Sequence, residues 1–192
     1  MDFLVSDPAG YRELRQMVTG LSGLAPITKA GALPLTLVRE VRADQYGVRT
    51  QVMMDGQPFK FEIVREARIE LEAPRSADDL LGISCLTALD LAASKLLANA
   101  DRQADDGVFS RDVIDLAMMD LPLTLLREAM HKAEQAYGAA VARDLAKAIE
   151  RMQNRQGWLE RCMQAMGITL PKAVLWSKIR ALRRALPPEG DA

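Results

Sequence analysis

The hydrophobic period of the chain changes near residue 75, and that change narrows the folds open to it. Upstream, Val48, Thr50, Val52 and Met54 alternate with Arg49, Gln51, Met53 and Asp55. Further on, Phe59, Phe61 and Ile63 alternate with Lys60, Glu62 and Val64. A period of two belongs to strands that bury one face. Between the two runs, Asp55-Gly56 has the composition of a tight hairpin turn. Leu35 to Asp44 is rich in β-branched and aliphatic residues, and Asp2–Ser6 and Ala67–Glu72 read as two more short strands. One helix precedes the meander. Asp7 suits its N-cap, Pro8 its first position, and Tyr11, Leu14, Met17 and Val18 its apolar stripe. The order predicted for the front of the chain is β-α-β-β-β, with adjacent strands antiparallel.

After Pro74 the period becomes helical. The spacing predicts helices over 87–103, 110–120, 122–137, 138–154, 156–167 and 171–186, with Pro122 and Pro171 at starts and Gly107, Gly138, Gly157 and Gly167 as punctuation. The expected class is α+β: a small, mostly antiparallel sheet followed by a C-terminal helical bundle. The texture divides the chain into 1–75 and 76–192.

Composition removes several functional classes. With 25 Lys and Arg against 26 Asp and Glu, the net charge of -1 is unlike that of a polybasic nucleic-acid binder, although a local basic patch can sit inside a neutral total. No apolar run approaches the ~20 residues that cross a bilayer. The first residues lack the basic and apolar regions of a secretory signal, so no membrane partner is expected. Cys85 and Cys162 lie far apart and read as reduced thiols of a cytoplasmic protein. A single histidine, His131, leaves little room for His-based zinc sites or a His-dependent triad.

The helix around Leu89–Ala98 is apolar over most of its circumference and should be largely buried, yet it carries Lys95 in its middle. Arg102, seven residues on, falls about 20° from Lys95 at the helical repeat. Two cations on one stripe of a buried helix either extend their stems to water or hold an anion such as a phosphate. The next helix opens Ser110-Arg111-Asp112-Val113-Ile114-Asp115, placing Asp112 and Asp115 on one face. In a purely structural role, Ser110 caps, Asp112 meets the helix dipole and Arg111 pairs with Asp115. In a functional one, a carboxylate orients Lys95 or Arg102, or acts as a base. Asp2 and Glu62 each lie on strand-like segments. If those strands are neighbours, their carboxylates can share a divalent cation; apart, each is an ordinary solvated residue. The last helix carries Lys172, Lys178, Arg180, Arg183 and Arg184 beside Trp176, with Leu175, Ile179, Leu182 and Leu186 as its apolar stripe. Its cations suit either the helix C-terminus or a phosphate backbone. His131 and Tyr137 read as ordinary helix residues.

In order, these pieces resemble the nucleotidyltransferase-like toxins of the abortive-infection AbiEii/AbiGii family. Asp2-Phe3-Leu4-Val5-Ser6 is similar to the end of its Asp-x-Asp strand, and Phe59-Lys60-Phe61-Glu62-Ile63-Val64 to its next core strand. The strongest likeness is Leu91-Ala92-Ala93-Ser94-Lys95-Leu96-Leu97-Ala98 with Asp101-Arg102, then Arg111-Asp112-Val113-Ile114-Asp115-Leu116. The resemblance implies a nucleotidyltransferase-type sheet with a helical region that completes the site. It implies Mg²⁺ held by Asp2 and, as a further carboxylate, Glu62. It also implies a nucleoside triphosphate contacted by Lys95 with Arg102 nearby, and Asp112 or Asp115 as the helical acid. The acceptor would be an RNA or a protein, and an antitoxin protein the expected partner. The family's pattern opens with a Gly-Gly or Gly-Ser segment ahead of two aspartates. With Met1 as the middle of Asp-x-Asp, the first aspartate would lie just upstream, and a chain starting there is expected to bind nucleotide poorly and to have little or no transferase activity. Two other readings stay open: a non-catalytic member that binds a partner through its helices, and a nucleic-acid-binding module using the final basic helix.

Overall fold

A computed structural model describes residues 2–20, 23–32 and 35–187, which form two compact units, 1–71 and 72–192. The class is α+β, as expected from the change of period.

The first unit contains strand β1 (Asp2–Val5), helix α1 (Pro8–Val18) and strands β2 (Thr36–Ala43), β3 (Gly47–Met54) and β4 (Gln57–Arg65). Asp7 caps α1 by accepting from the Ala9 and Gly10 amides at 3.1 and 2.7 Å, relieving two of the unpaired donors at a helix start. The β3–β4 hairpin closes through Asp55 and Gly56, both at positive φ (50° and 74°). This left-handed pair matches the twist of the flanking strands. Strand order is β1-β4-β3-β2. The β2–β3 and β3–β4 ladders are antiparallel, but β1 runs parallel to β4. The sheet is therefore mixed, not a simple meander, because α1 returns the chain to the starting end of the sheet before β2 begins.

One face of the sheet packs on α1. Tyr11 and Val18 meet Val48, Val52 and Ile63 there, with Leu24 buried in the same cluster and Phe3, Val5, Val41 and Phe61 at its margin. The Tyr11 hydroxyl donates to the Asp44 carbonyl at 2.7 Å. Met17, assigned to the same stripe by spacing, is 43% exposed and lies off that core. The strand expected over 67–72 does not form. There the buried Glu66 carboxylate takes the Arg68 amide and guanidinium at 2.7–2.9 Å and bends the chain locally.

The second unit begins with a short hairpin, β5 (Asp79–Leu80) and β6 (Ile83–Ser84). Helices α2 (Ala88–Arg102), α3 (Arg111–Met118), α4 (Leu123–Tyr137), α5 (Ala140–Asn154), α6 (Trp158–Ala165) and α7 (Lys172–Ala181) follow. Their order and limits follow the predicted periods within a few residues. Leu96, Leu97, Val113, Ile114, Leu116, Leu145, Ile149, Leu175 and Ile179 are almost wholly buried. Helix α2 packs against α3, α4 and α5, which explains its nearly continuous apolar surface. No helix among the described residues is long and apolar enough to cross a membrane.

Candidate functional site

Two ion pairs join α2 to α3. Lys95 Nζ donates to Asp115 Oδ2. About two turns further along α2, the Arg102 guanidinium grips Asp112 through Nε–Oδ2 at 2.7 Å and Nη2–Oδ1 at 2.8 Å. The helices run antiparallel, so the later cation meets the earlier acid. All four residues singled out by spacing therefore come together. The pairing that would have joined Arg111 to Asp115 is replaced, since Asp115 takes Lys95.

The pairs differ in their relation to water. Asp112 is 3% exposed and both its oxygens are engaged in a bidentate fork with the guanidinium. The Asp112 hydrogen bond, outweighing the cost of burial, raises the Arg102 pKa further above its already high ordinary value. Lys95 and Asp115 are 27% and 36% exposed, and one Asp115 oxygen carries the contact. The first pair is shut away from water on its acid side, whereas the second is partly open to it on both sides.

The approach to α3 is unusual. Phe109 and Ser110 both have positive φ, 52° and 48°, where non-glycine residues each cost about 1 kcal/mol or more. Ser110 does not cap α3 with its side chain. Its buried Oγ accepts from Trp158 Nε1 at 2.9 Å, and Phe109 stacks on Trp158 with 6.4 Å between ring centroids. Asp106 receives both Arg151 and Arg155, and the Arg155 guanidinium lies 4.1 Å from the Trp158 ring centre. These contacts hold the strained turn that sets Asp112 at the head of α3.

In the first unit, Asp2 and Glu62 are register partners across β1 and β4, so both carboxylates lie on one face, the face opposite α1. The row continues across the sheet: Glu62 faces Arg49, and Arg49 faces Arg42. Glu62 accepts from Lys60 Nζ at 2.8 Å and lies 3.4 Å from Arg49 Nε. Magnesium takes oxygen ligands and is commonly held by one or two carboxylates together with phosphate oxygens. Two adjacent carboxylates fit that requirement. Among the described residues no three His, Cys, Asp or Glu side chains converge, so phosphate and water would complete the shell.

The basic last helix is largely engaged in structure. Lys172 pairs with Glu160, Lys178 with Asp120 at 3.0 Å, and Arg183 with Gln153 at 3.3 Å. Sequence reasoning missed a fully buried acid. Asp90, in the first turn of α2, accepts from the Glu72 amide at 2.6 Å and from Lys132 Nζ at 2.5 Å. An acid just after the N-cap Thr87 reads as a dipole partner, and nothing local points to a lysine 42 residues away.

A family model for the AbiEii nucleotidyl transferase toxin of type IV toxin–antitoxin systems matches residues 1–186. The chain belongs to that family. Comparisons with curated proteins and with solved structures each found no match.

Proposed function

We propose that this AbiEii-family chain is a toxin that transfers a nucleotide, in a magnesium-dependent reaction, from a nucleoside triphosphate to an RNA or protein acceptor, the acceptor–phosphorus bond replacing the α–β phosphoanhydride bond and pyrophosphate leaving. The observation that carries the reading is the inequality of the two α2–α3 pairs. A buried, bidentate Arg102–Asp112 pair fixes the helices, and beside it a water-accessible Lys95–Asp115 pair keeps an ammonium available. In this assignment Lys95 leaves Asp115 to contact the triphosphate and offset charge developing on its oxygens. Asp115 keeps the ammonium positioned between turnovers, and Asp112 acts through Arg102, as a positioning residue. Asp2 and Glu62 are the residues that would hold magnesium, which supplies charge neutralisation at the phosphates. Holding triphosphate and acceptor in line supplies much of the remaining rate. As members of a type IV toxin–antitoxin family, such toxins have an antitoxin as their implied partner.

The test is incorporation of labelled nucleotide into total RNA and total protein. Lys95→Ala and Asp115→Ala should abolish it while the chain remains folded. A second reading, a non-catalytic member binding a partner protein, is favoured by the fact that Lys95, Arg102, Asp112 and Asp115 are all engaged in ion pairs. It expects those substitutions to leave nucleotide binding unchanged.

A further inference from the structure

The face of the sheet opposite α1 is a broad concavity of about 690 Å³. Its walls are charged: Arg39, Arg42, Arg49 and Lys60 against Glu40 and Glu62. Arg49 and Lys60 are drawn to Glu62, and Arg49 also to Asp44 at 3.2 Å. Arg39 and Arg42, both exposed on the edge strand β2, have no acidic partner among the described residues. The β2–β3 register slips between Leu37 and Arg39 and again between Arg39 and Arg42. Thr50 Oγ1 ties the Arg39 carbonyl at 2.7 Å between those slips. Such irregularities re-aim side chains at a sheet edge, and here Arg39, Arg42 and Arg49 line the same hollow.

We propose that this face docks the phosphate backbone of an RNA strand, with Arg39 and Arg42 as its principal contacts. The inference deepens the transfer reading by naming the acceptor class, and rests on that reading only for the role of the bound strand. Two features favour a strand over a free nucleotide. The free guanidinium groups sit two strands from Glu62, on the order of 10 Å at the usual strand spacing, which suits an extended anion. Paired cations beside Glu62 grade into unpaired ones at the edge, so positive potential is strongest away from the proposed metal carboxylates.

The experiment is fluorescence anisotropy of the full chain with a labelled single-stranded RNA of about 16 nucleotides, the upper range of a single binding fold, across a salt series without metal or nucleotide. Arg39→Ala/Arg42→Ala should weaken binding about tenfold at low salt and flatten the log–log salt slope by about 1.4, two single-strand phosphate contacts. Arg12→Ala/Lys29→Ala, removing exposed cations elsewhere in the unit, should leave both unchanged. Circular dichroism of each variant checks the fold, and Arg39→Lys/Arg42→Lys should restore most of the slope. An unchanged slope in Arg39→Ala/Arg42→Ala, no RNA binding by the parent chain, or, in Arg39→Ala/Arg42→Ala, loss of magnesium–nucleotide binding with RNA binding intact would each overturn the proposal. Parallel calorimetry with magnesium and nucleoside triphosphate separates the two readings. RNA binding without nucleotide binding removes the transferase reading and leaves the docking surface standing.

Discussion

Asp2 and Glu62 occupy opposed positions on the parallel ladder between β1 and β4, with both carboxylates on the sheet face turned away from α1. Like charges in register repel. Lys60 and Arg49 compensate for Glu62 from β4 itself and from β3. A divalent cation would relieve the same repulsion more directly, since its charge is concentrated between the two groups.

Glu62→Gln is therefore expected to lower magnesium affinity about tenfold, in the range reported for disturbed metal sites. Isothermal titration with MgCl₂ in the presence of a nucleoside triphosphate measures it. An unchanged affinity removes Glu62 from the metal site.

The two α2–α3 pairs should separate stability from activity. Arg102→Ala leaves Asp112 buried and uncompensated, at a cost of about 3 kcal/mol, the low end of the range because the guanidinium is one-third exposed. Lys95→Ala should cost about 1 kcal/mol or less, because both its partner and its own head reach water. Urea unfolding followed by circular dichroism distinguishes them. Equal losses would contradict the division into a structural and an exchangeable pair.

Lys132→Ala should be among the most damaging changes in the helical unit. It strands the fully buried Asp90 carboxylate, at about 3–5 kcal/mol. Asp90→Asn/Lys132→Met, which removes both charges, should recover part of that loss in the same urea experiment. No recovery would mean that the ion pair is not what Lys132 contributes.

Acid should loosen the bend at Glu66. Burial alone pushes its carboxyl pKa up, but the Arg68 guanidinium and amide outweigh that and bring it below its ordinary 4.5. A depressed folded pKa adds stability that is complete above the unfolded value and disappears as pH falls through the folded one. The stability gap between parent and Glu66→Gln should be constant near neutrality and close below about pH 4.5. Urea midpoints measured from pH 7 to pH 3 check this, and a gap that widens in acid would contradict it.

Much of the fold was legible because local rules and tertiary packing agree. The Asp7–Pro8 start of α1, the Asp55-Gly56 turn and the helix starts at Pro122 and Pro171 all encode backbone geometry in adjacent residues. The β1–β4 pairing was not legible, since strand direction depends on how α1 carries the chain back and no local residue specifies it. Ala67–Glu72 resembled a strand by composition, yet a buried side-chain clasp between Glu66 and Arg68 captured the backbone there. At the candidate site, helical spacing brought Lys95 and Arg102 onto one stripe and Asp112 and Asp115 onto another. It could not say which cation meets which acid, because that depends on the antiparallel approach of two helices. The hollow of Arg39, Arg42 and Arg49 was hidden for a similar reason: its register slips lie on β2, where alternation breaks down.

Titration calorimetry of the parent chain and Lys95→Ala, with magnesium and each of the four nucleoside triphosphates, decides whether Lys95 contacts the triphosphate. A saturable signal is expected with at least one triphosphate, weakened about tenfold or more in Lys95→Ala, as for loss of a charge-assisted contact, with folding intact. Equal affinity in the two proteins, or no binding of any triphosphate by the parent chain, would remove Lys95 from the site.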